Sequence, residues 1–267
     1  MRWKCHTTFY GMPAGACAGG IAVVIDVLRA STTIITALAN GAARVRAVRT
    51  VGEARALAGS AAALLGGERG GRRIAGFDLG NSPLEYSRQR VAGRDVVITT
   101  TNGTAALEAC GDAAEVLIGA VVNRSALAAL AVRLAADGTR DVHLVCAGTD
   151  GAVTEEDLLG AGAILDAANS LGIDEHGAMD GRARAALADF RAVVATDGDP
   201  TTALSCVFAT SIGGRNLIDI GMEADLSPAA AIDSLAIVPR RDGRTGWFVG
   251  DRSAERLLHS GRPEKER

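Results

Sequence analysis

The segment Ile21–Ile35, IAVVIDVLRASTTII, decides how the rest of the chain is interpreted, because a short apolar run ends abruptly on a carboxylate. Its first five residues, Ile21–Ile25, predict a strand that is buried on both faces. Asp26 would then stand at the carboxyl end of that strand, and Arg29 follows three residues later. The hydroxyl residues 31–33 open a helical pattern, so the segment predicts a strand, a polar turn and a helix.

A turn of this kind suits an anion, because a helix amino terminus offers unpaired N–H donors and the positive end of the helix dipole. The alternative is a structural turn in which Ser31 caps the helix and Asp26 pairs with Arg29. The segment alone leaves both interpretations open.

Composition excludes several classes of protein. The chain has 267 residues, which is enough to bury a core in one large domain or two small lobes. Lysine and arginine total 28 against 31 acidic residues, and no basic stripe with interleaved aromatics occurs, which argues against a nucleic-acid partner. The first residues lack the apolar core of a secretion signal, and the apolar runs are too short for a membrane span. We therefore expect a cytoplasmic protein that does not associate with membranes.

Cysteine and histidine show no metal or disulfide pattern along the sequence. The five cysteines are scattered without a CxxC pair, and the four histidines are equally dispersed. This spacing predicts neither a disulfide framework nor a zinc site. We expect carboxylates, hydroxyls and a hard metal ion to carry any chemistry.

Short apolar runs alternate with Ala/Leu-rich stretches along most of the chain. This pattern predicts a layered α/β/α fold with a largely parallel or mixed sheet, forming one catalytic unit over 1–267. Two α/β lobes with a boundary near residue 120 and the site between them are also compatible with it. After residue 172 we expect a solvent-facing helix, a further helix and a late strand near Ile232–Pro239. The charged segment 260–267 predicts a disordered tail.

Polar residues follow several of the predicted strands. In parallel strands the carboxyl ends lie at one edge of the sheet, where ligands bind in a crevice. We therefore expect these residues to converge on one polar pocket. They are the polar residues Asp26, Glu68, Asn102 and Asn123, together with Gly148.

Three further segments carry candidate chemistry. Thr154–Asp157, TEED, is typical of a capped helix start, but the same acids could bind Mg²⁺, which commonly uses one or two carboxylates plus substrate phosphate oxygens. Thr99–Thr104, TTTNGT, could cradle a phosphate with hydroxyls and backbone amides, or could be a turn and cap. The loop Gly76–Tyr86 carries Asp78 and Asn81, and Pro83 is placed to start a helix with a serine cap.

Five segments in this order resemble the 2-phosphosulfolactate phosphatase family. The resemblance covers roughly 21–162, with a fainter match in DLSPAAAIDSLAIVPR at Asp225–Arg240. In SIGGRN, at Ser211–Asn216, Ile212 stands where we expect a histidine, which leaves recognition of the far end of the substrate open. The five segments are VVIDVLRASTTI, GERGGRRIAGFDLGNSP, TTTNGT, CAG at Cys146–Gly148 and EDLLGAG from Glu156.

This resemblance implies a Mg²⁺-dependent phosphatase with an α/β fold of its own. Its substrate would be a small, anionic, phosphorylated 2-hydroxy acid, foremost (2R)-2-phospho-3-sulfolactate, and its products 3-sulfolactate and phosphate, a step toward coenzyme M. The protein could also form a homodimer. The expected catalytic residues are Asp26, Arg29 and Asn102; the expected substrate- and phosphate-binding residues are Ser31, Thr32, Asp78, Asn81, Gly103 and Thr104; and the expected metal ligands are Asp26, Glu68, Glu156 and Asp157.

Three alternatives accompany this hypothesis. A haloacid-dehalogenase-type phosphotransferase also begins with an acid after its first strand, but it requires a second Asp two residues later, where this chain has Leu28. The chain could instead be a non-catalytic module that senses an anion, or a phosphatase of another phosphorylated 2-hydroxy acid. Within the phosphatase hypothesis, Asp26 could be a metal ligand or a nucleophile.

Overall fold

The computed structural model describes residues 1–196 and 198–253, and it confirms the layered α/β architecture. The predicted disordered tail lies outside the described residues. The strands are β1 Trp3–His6, β2 Ile21–Ile25, β3 Arg44–Ala47, β4 Leu64–Arg69, β5 Arg72–Arg73, β6 Asp95–Thr99, β7 Glu115–Gly119, β8 Val142–Cys146, β9 Val238–Arg241 and β10 Phe248–Asp251.

Helices flank this sheet. The α-helices are α1 Ala30–Ala39, α2 Val51–Ala61, α3 Arg88–Val91, α4 Gly103–Ala109, α5 Arg124–Leu134, α6 Glu155–Ser170, α7 Glu175–Ala178, α8 Gly181–Val194, α9 Pro200–Thr210, α10 Ile212–Asp219 and α11 Leu226–Ala230. Short 3-10 turns occur at Pro83–Glu85, Val121–Asn123 and Glu223–Asp225. Within the described ranges, no helix combines the length and hydrophobicity that crossing a membrane requires.

The sheet contains two parallel blocks that run in opposite directions. Its strand order is β1-β8-β2-β7-β9-β10-β3-β6-β4-β5. Strands β1, β8, β2 and β7 are mutually parallel, and so are β3, β6 and β4. Three successive antiparallel pairings through β9 and β10 reverse the direction between the blocks. The expectation that all the polar strand ends share one sheet edge is therefore wrong, although Asp26, Glu68 and Asn102 do line one cavity. A division into lobes near residue 120 stays a prediction.

Strand β2 lies in the middle of the first block, between β8 and β7. Its five side chains are at most 1% exposed, as the apolar run predicted. The chain leaves this buried strand at Asp26, so the carboxylate is fixed at the rim of the core. The central strand thus places the first candidate residue.

Two strand boundaries differ from the sequence prediction for local reasons. The late strand begins at Val238 rather than near residue 232, because Asp233 has a positive φ of 51° and its side chain binds Arg124 and Ser125. Strand β7 ends at Gly119, since the Asn123 side chain accepts the Ala120 N–H and turns the chain. Side-chain hydrogen bonds to nearby backbone groups stop the strand ladder in both places.

Helix α6 packs closely against α8, and the contact depends on a glycine. A Cβ on Gly162 would lie 2.7 Å from the Cβ of Phe190 and would overlap the Ala186 carbonyl oxygen. Helix α8, which we expected to face solvent, instead buries one face through residues such as Leu187. Since α6 begins at the predicted acidic cluster, this packing also positions that cluster.

We predict that Gly162→Ala destabilises the protein by about 1–3 kcal/mol or more, because the added methyl group must displace the α8 backbone. Gly59→Ala on α2 is the matched control, since no atom lies within 4 Å of the added carbon and alanine favours a helix by up to about 1 kcal/mol. Urea unfolding of both variants measures the difference. Equal stability of the two variants would show that the α6–α8 contact does not require glycine.

Candidate active site

A cavity of about 460 Å³ lies where strands from both blocks of the sheet end. Residues after β2 and β8 contribute one part of its wall, and residues after β4 and β6 contribute another. Residues of α10 complete it. The lining consists of Asp26, Leu28, Arg29, Glu68, Gly70, Gly71, Asn81, Thr101, Asn102, Thr149, Asp150, Gly213, Asn216, Leu217, Asp219 and Ile220.

Asp26 is held rigidly at the cavity wall by the turn after β2. Its Oδ1 accepts the Ala30 N–H at 3.1 Å, and its own N–H donates to Ser31 Oγ at 2.9 Å. The Ser31 hydroxyl in turn donates to the Val24 carbonyl at 3.2 Å. On the other side, a Cβ on Gly103 would lie only 2.6 Å from Asp26 Oδ2, so glycine is required there.

The electrostatic environment disfavours the charged form of Asp26. Burial, together with the negative charges of Glu68 and Glu156, raises its pKa to about 7 against the opposing effects of the Ala30 N–H and Arg29. A carboxyl group with a pKa near neutrality is typical of functional sites. A cation bound beside it would shift the equilibrium back to the carboxylate.

Glu68 closes the cavity from the second block of the sheet. Its Oε1 accepts the Thr101 N–H at 2.7 Å, and its Oε2 accepts the Gly71 N–H at 2.8 Å. The carboxylate therefore joins the β4–β5 turn to the segment after β6. Gly67 makes this approach feasible, because its φ is 135° and a Cβ would overlap the Thr99 carbonyl.

Asp157, in the first turn of α6, joins two turns that border the cavity. Its Oδ1 accepts the Val27 N–H at 2.8 Å, and its Oδ2 accepts the Gly148 N–H at 2.9 Å. Burial raises its pKa well above the ordinary value. Each oxygen is engaged by a backbone donor, so this side chain fixes the spacing of the strand ends.

Glu156, the neighbouring residue, has a different environment. It is 2% exposed, and its Oε2 has no hydrogen-bond partner within the described part of the chain. Burial raises its pKa as well. Thr154 Oγ1 and Asn81 Oδ1 are likewise buried without partners among the described residues. Unpartnered buried oxygens are costly, and together with Asp26 and Glu68 they are oxygen donors that a metal ion could use.

Arg29 forms a buried ion pair at the cavity wall. Its Nη1 donates to Asp225 Oδ2 at 2.8 Å, and its Nη2 donates to the Gly71 carbonyl at 2.7 Å. Ser82 does not cap the 3-10 turn at Pro83, because its hydroxyl donates to the other oxygen of Asp225 at 2.5 Å. Two of the five guanidinium N–H donors are used, so others can still reach a ligand.

Comparison with known proteins decides the family. The family model described as 2-phosphosulpholactate phosphatase matches residues 9–243. The chain belongs to the 2-phosphosulfolactate phosphatase family. It is 42% identical over 221 residues to a probable 2-phosphosulfolactate phosphatase of Deinococcus radiodurans, covering 82% of this chain and 86% of that protein. A protein of the same description from Symbiobacterium thermophilum is 40% identical over 230 residues, covering 85% and 93%.

Membership in this phosphatase family confirms the resemblance and makes the chain a phosphoric monoester hydrolase. Five of the expected site residues line the cavity, although they come from distant parts of the chain. They are Asp26, Arg29, Glu68, Asn81 and Asn102.

Other expected residues lie behind the wall and support it. Ser31 orders the turn at Asp26, and Thr32 Oγ1 donates to the Val27 carbonyl at 2.8 Å. Gly103 makes the close approach to Asp26 described above. Their buried positions fit a supporting role, whereas direct contact with a substrate stays a prediction.

Some predicted residues lie away from the cavity wall. Asp78 is exposed, and its Oδ2 accepts the Leu65 N–H at 2.8 Å. Thr104 Oγ1 donates to the Thr100 carbonyl at 2.7 Å, which occupies it within the chain. Asn123 is fully buried and holds a turn. Polar residues after strands can thus serve the backbone rather than a ligand.

Sequence reasoning missed the α10 side of the cavity and Asp225. Gly213 packs so tightly that a Cβ there would overlap Glu156 Oε1. The SIGGRN and DLSP segments were noted as motifs, but nothing in their residues indicated contact with Glu156 or Arg29. Only the folded chain brings these groups together.

We predict that Asp26→Asn stabilises the protein in a chelating buffer at pH 8, by an amount on the order of 2–4 kcal/mol. The pKa of Asp26 is raised from 3.8 to about 7, so the folded state binds more protons than the unfolded state between these values. Stability attributable to this group therefore falls as the pH rises from about 4 to about 7.

Urea unfolding across this pH range tests the prediction, with Asp189→Asn on the exposed face of α8 as the control. The slope of stability against pH should become shallower in Asp26→Asn and stay unchanged in the control. An identical slope in all three proteins would show that Asp26 ionises normally in the folded state.

Proposed function

We propose that this enzyme is a Mg²⁺-dependent phosphatase that hydrolyses the phosphate monoester of a small acidic 2-hydroxy acid. The foremost candidate is (2R)-2-phospho-3-sulfolactate, which would give 3-sulfolactate and phosphate. The observation that carries the proposal is the pair of carboxylates Asp26 and Glu68 in the cavity wall of a chain of this family. The unpartnered Glu156 lies directly behind that wall, against Gly213, and its charge acts on Asp26.

The charge of the cavity supports a role for a divalent cation. Four carboxylates line it, at Asp26, Glu68, Asp150 and Asp219, and Arg29 is the one basic residue in the described lining. The guanidinium is already paired with Asp225 at 2.8 Å. A phosphate dianion would therefore be repelled, and bound Mg²⁺ would supply the missing positive charge.

The donor atoms also fit this ion. Mg²⁺ takes oxygen ligands and keeps several waters, so two or three protein oxygens are sufficient. We propose Asp26, Glu68 and Glu156 as the ligands. Asp157 was also an expected ligand, but it lies outside the cavity lining and both of its oxygens accept backbone N–H groups, which favours a positioning role. Glu68 makes two such bonds as well, but it lines the cavity. When bound, the ion would polarise the phosphoryl group and activate a water molecule.

The residues around the cavity would then orient the phosphate. Arg29 retains N–H donors beyond those used by Asp225 and Gly71, and Asn102 lies at the start of α4. Donors held in place before the reaction stabilise the developing negative charge without further reorganisation. We favour a metal-ligand role for Asp26, because its charged neighbours include two other carboxylates, Glu68 and Glu156.

In organisms that make coenzyme M, we propose that the product feeds that synthesis in the cytoplasm. A phosphatase for another phosphorylated 2-hydroxy acid is the second candidate. It would use the same phosphate and metal contacts, but different contacts to the far end of the substrate. Substrate preference therefore separates the two candidates.

We predict that turnover of 2-phospho-3-sulfolactate requires Mg²⁺ and exceeds that of 2-phospholactate by at least tenfold in kcat/KM. Phosphate release from both compounds and from p-nitrophenyl phosphate, with Mg²⁺ or with excess chelator, measures this. Full activity in chelator would contradict the metal role. Equal efficiency for the two lactates would contradict the sulfolactate assignment.

The same assay tests the ligand set. Glu156→Gln removes a charge from the buried cluster, so half-maximal activity should need at least tenfold more Mg²⁺. Glu155→Gln is a matched control, since this exposed neighbour lies on the same helical turn. Identical Mg²⁺ dependence in the two variants would remove Glu156 from the proposed ligands.

A further inference from the structure

Strand β1, at one edge of the sheet, pairs with β8 and brings two histidines together. His143 on β8 is opposite Lys4 of β1, and His6 is opposite Val145. Alternate residues of a strand share one face, so this register places His6 and His143 diagonally on the same face of the sheet. Their ring planes are nearly parallel, at 11°, and His6 Nε2 lies 3.0 Å from His143 Nδ1.

A cysteine joins this pair from the loop between β1 and β2. Cys17 is fully buried, and it is a free thiol. One ligand atom from each of Cys17, His6 and His143 lies within 4.8 Å of the other two. Loop 7–20 consists of turns and bends, and the Cys17 side chain adds a contact with the sheet to the backbone hydrogen bond from Phe9 to Cys146.

The environments of Cys17 and His6 favour the protonation states that bind metals. The neighbouring Cys110 thiol and His143 together lower the pKa of Cys17 to about 5, against the opposing effect of burial. Burial and His143 also lower the pKa of His6. At neutral pH this combination gives a thiolate beside neutral imidazole, the forms that coordinate metal ions.

We propose that His6, Cys17 and His143 form a second metal site, which binds a borderline-soft divalent cation of the Zn²⁺ class and fastens loop 7–20 to the sheet. In a tetrahedral zinc site the ligand atoms stand roughly 3.3–3.6 Å apart, given Zn–N distances of about 2.0–2.1 Å and a Zn–S distance of about 2.3 Å. The observed cluster needs only small side-chain movements to reach that arrangement. His6 is half-buried, so water can enter and take the fourth position.

This site differs chemically from the oxygen-lined cavity. Nitrogen and sulfur donors select zinc-class ions, whereas carboxylates with water select Mg²⁺. Mg²⁺ should therefore not displace a zinc-class ion from the nitrogen and sulfur donors. The zinc-class ion would have a structural function, because it would connect β1, β8 and the loop that leads into β2. The proposal is independent of the substrate of the phosphatase.

To test this proposal, Co²⁺ is added to the full chain, with its cysteines reduced and with Mg²⁺ in excess. The absorption spectrum identifies the ligands of Co²⁺, since a bound thiolate gives a sulfur-to-metal charge-transfer band that oxygen ligands do not give. We expect one equivalent of Co²⁺ to produce this absorption and Zn²⁺ to remove it. Zn²⁺ should also raise the melting temperature of the wild-type chain.

Variants of Cys17 and His6 test whether these residues give rise to the signal. Cys17→Ser should abolish the absorption, and His6→Ala, at a half-buried position, should weaken Co²⁺ binding at least tenfold without disturbing the core. Cys206→Ser is the control, because that cysteine is exposed on α9, and it should titrate like the wild type. Absence of the absorption from the wild type, or its persistence in folded Cys17→Ser, would overturn the proposal.

Discussion

The burial of several carboxylates around one cavity is the constraint on which the rest of the site depends. Removing a carboxylate from water costs several kcal/mol unless hydrogen bonds or opposite charges replace the solvent. The chain replaces much of that solvation with backbone N–H groups, which come from Ala30 for Asp26 and from Thr101 and Gly71 for Glu68. Each of these bonds also fixes a turn. The same hydrogen bonds therefore set the geometry of the site and compensate the charge of its carboxylates.

Hydrogen bonds replace the lost solvation of the Glu156 carboxylate only in part. Its Oε2 is buried without a partner in the described residues, while the charge of Arg29 is already matched by Asp225. The residues therefore hold an excess of negative charge that a cation can balance. Asp157 holds Val27 and Gly148 at the same time, which keeps the turns after β2 and β8 at a fixed separation. A preorganised acidic cavity follows, suited to a metal ion and a phosphate ester.

The sequence was informative where function depends on local pattern. The apolar run before Asp26 predicted a buried strand that ends on a carboxylate, and the acidic start of α6 predicted Glu156 at a helix terminus. The sequence carried no information about contacts between residues that are far apart in the chain. Strand direction has no local signature, so the two opposed blocks could not be foreseen, and nothing near Asp225 indicated its contact with Arg29. Asp78 was misplaced because a polar loop residue that binds a backbone N–H resembles one that binds a ligand.

Anomalous diffraction from crystals soaked with Mn²⁺ and phosphate tests the central claim most directly, because Mn²⁺ accepts the same oxygen ligands as Mg²⁺ and scatters anomalously. We expect one strong anomalous peak in the cavity, with oxygens of Asp26, Glu68 and Glu156 at about 2.0–2.2 Å and a phosphate oxygen in the same coordination shell. A peak that these carboxylates do not coordinate, or phosphate bound in the cavity with no metal beside it, would contradict the account.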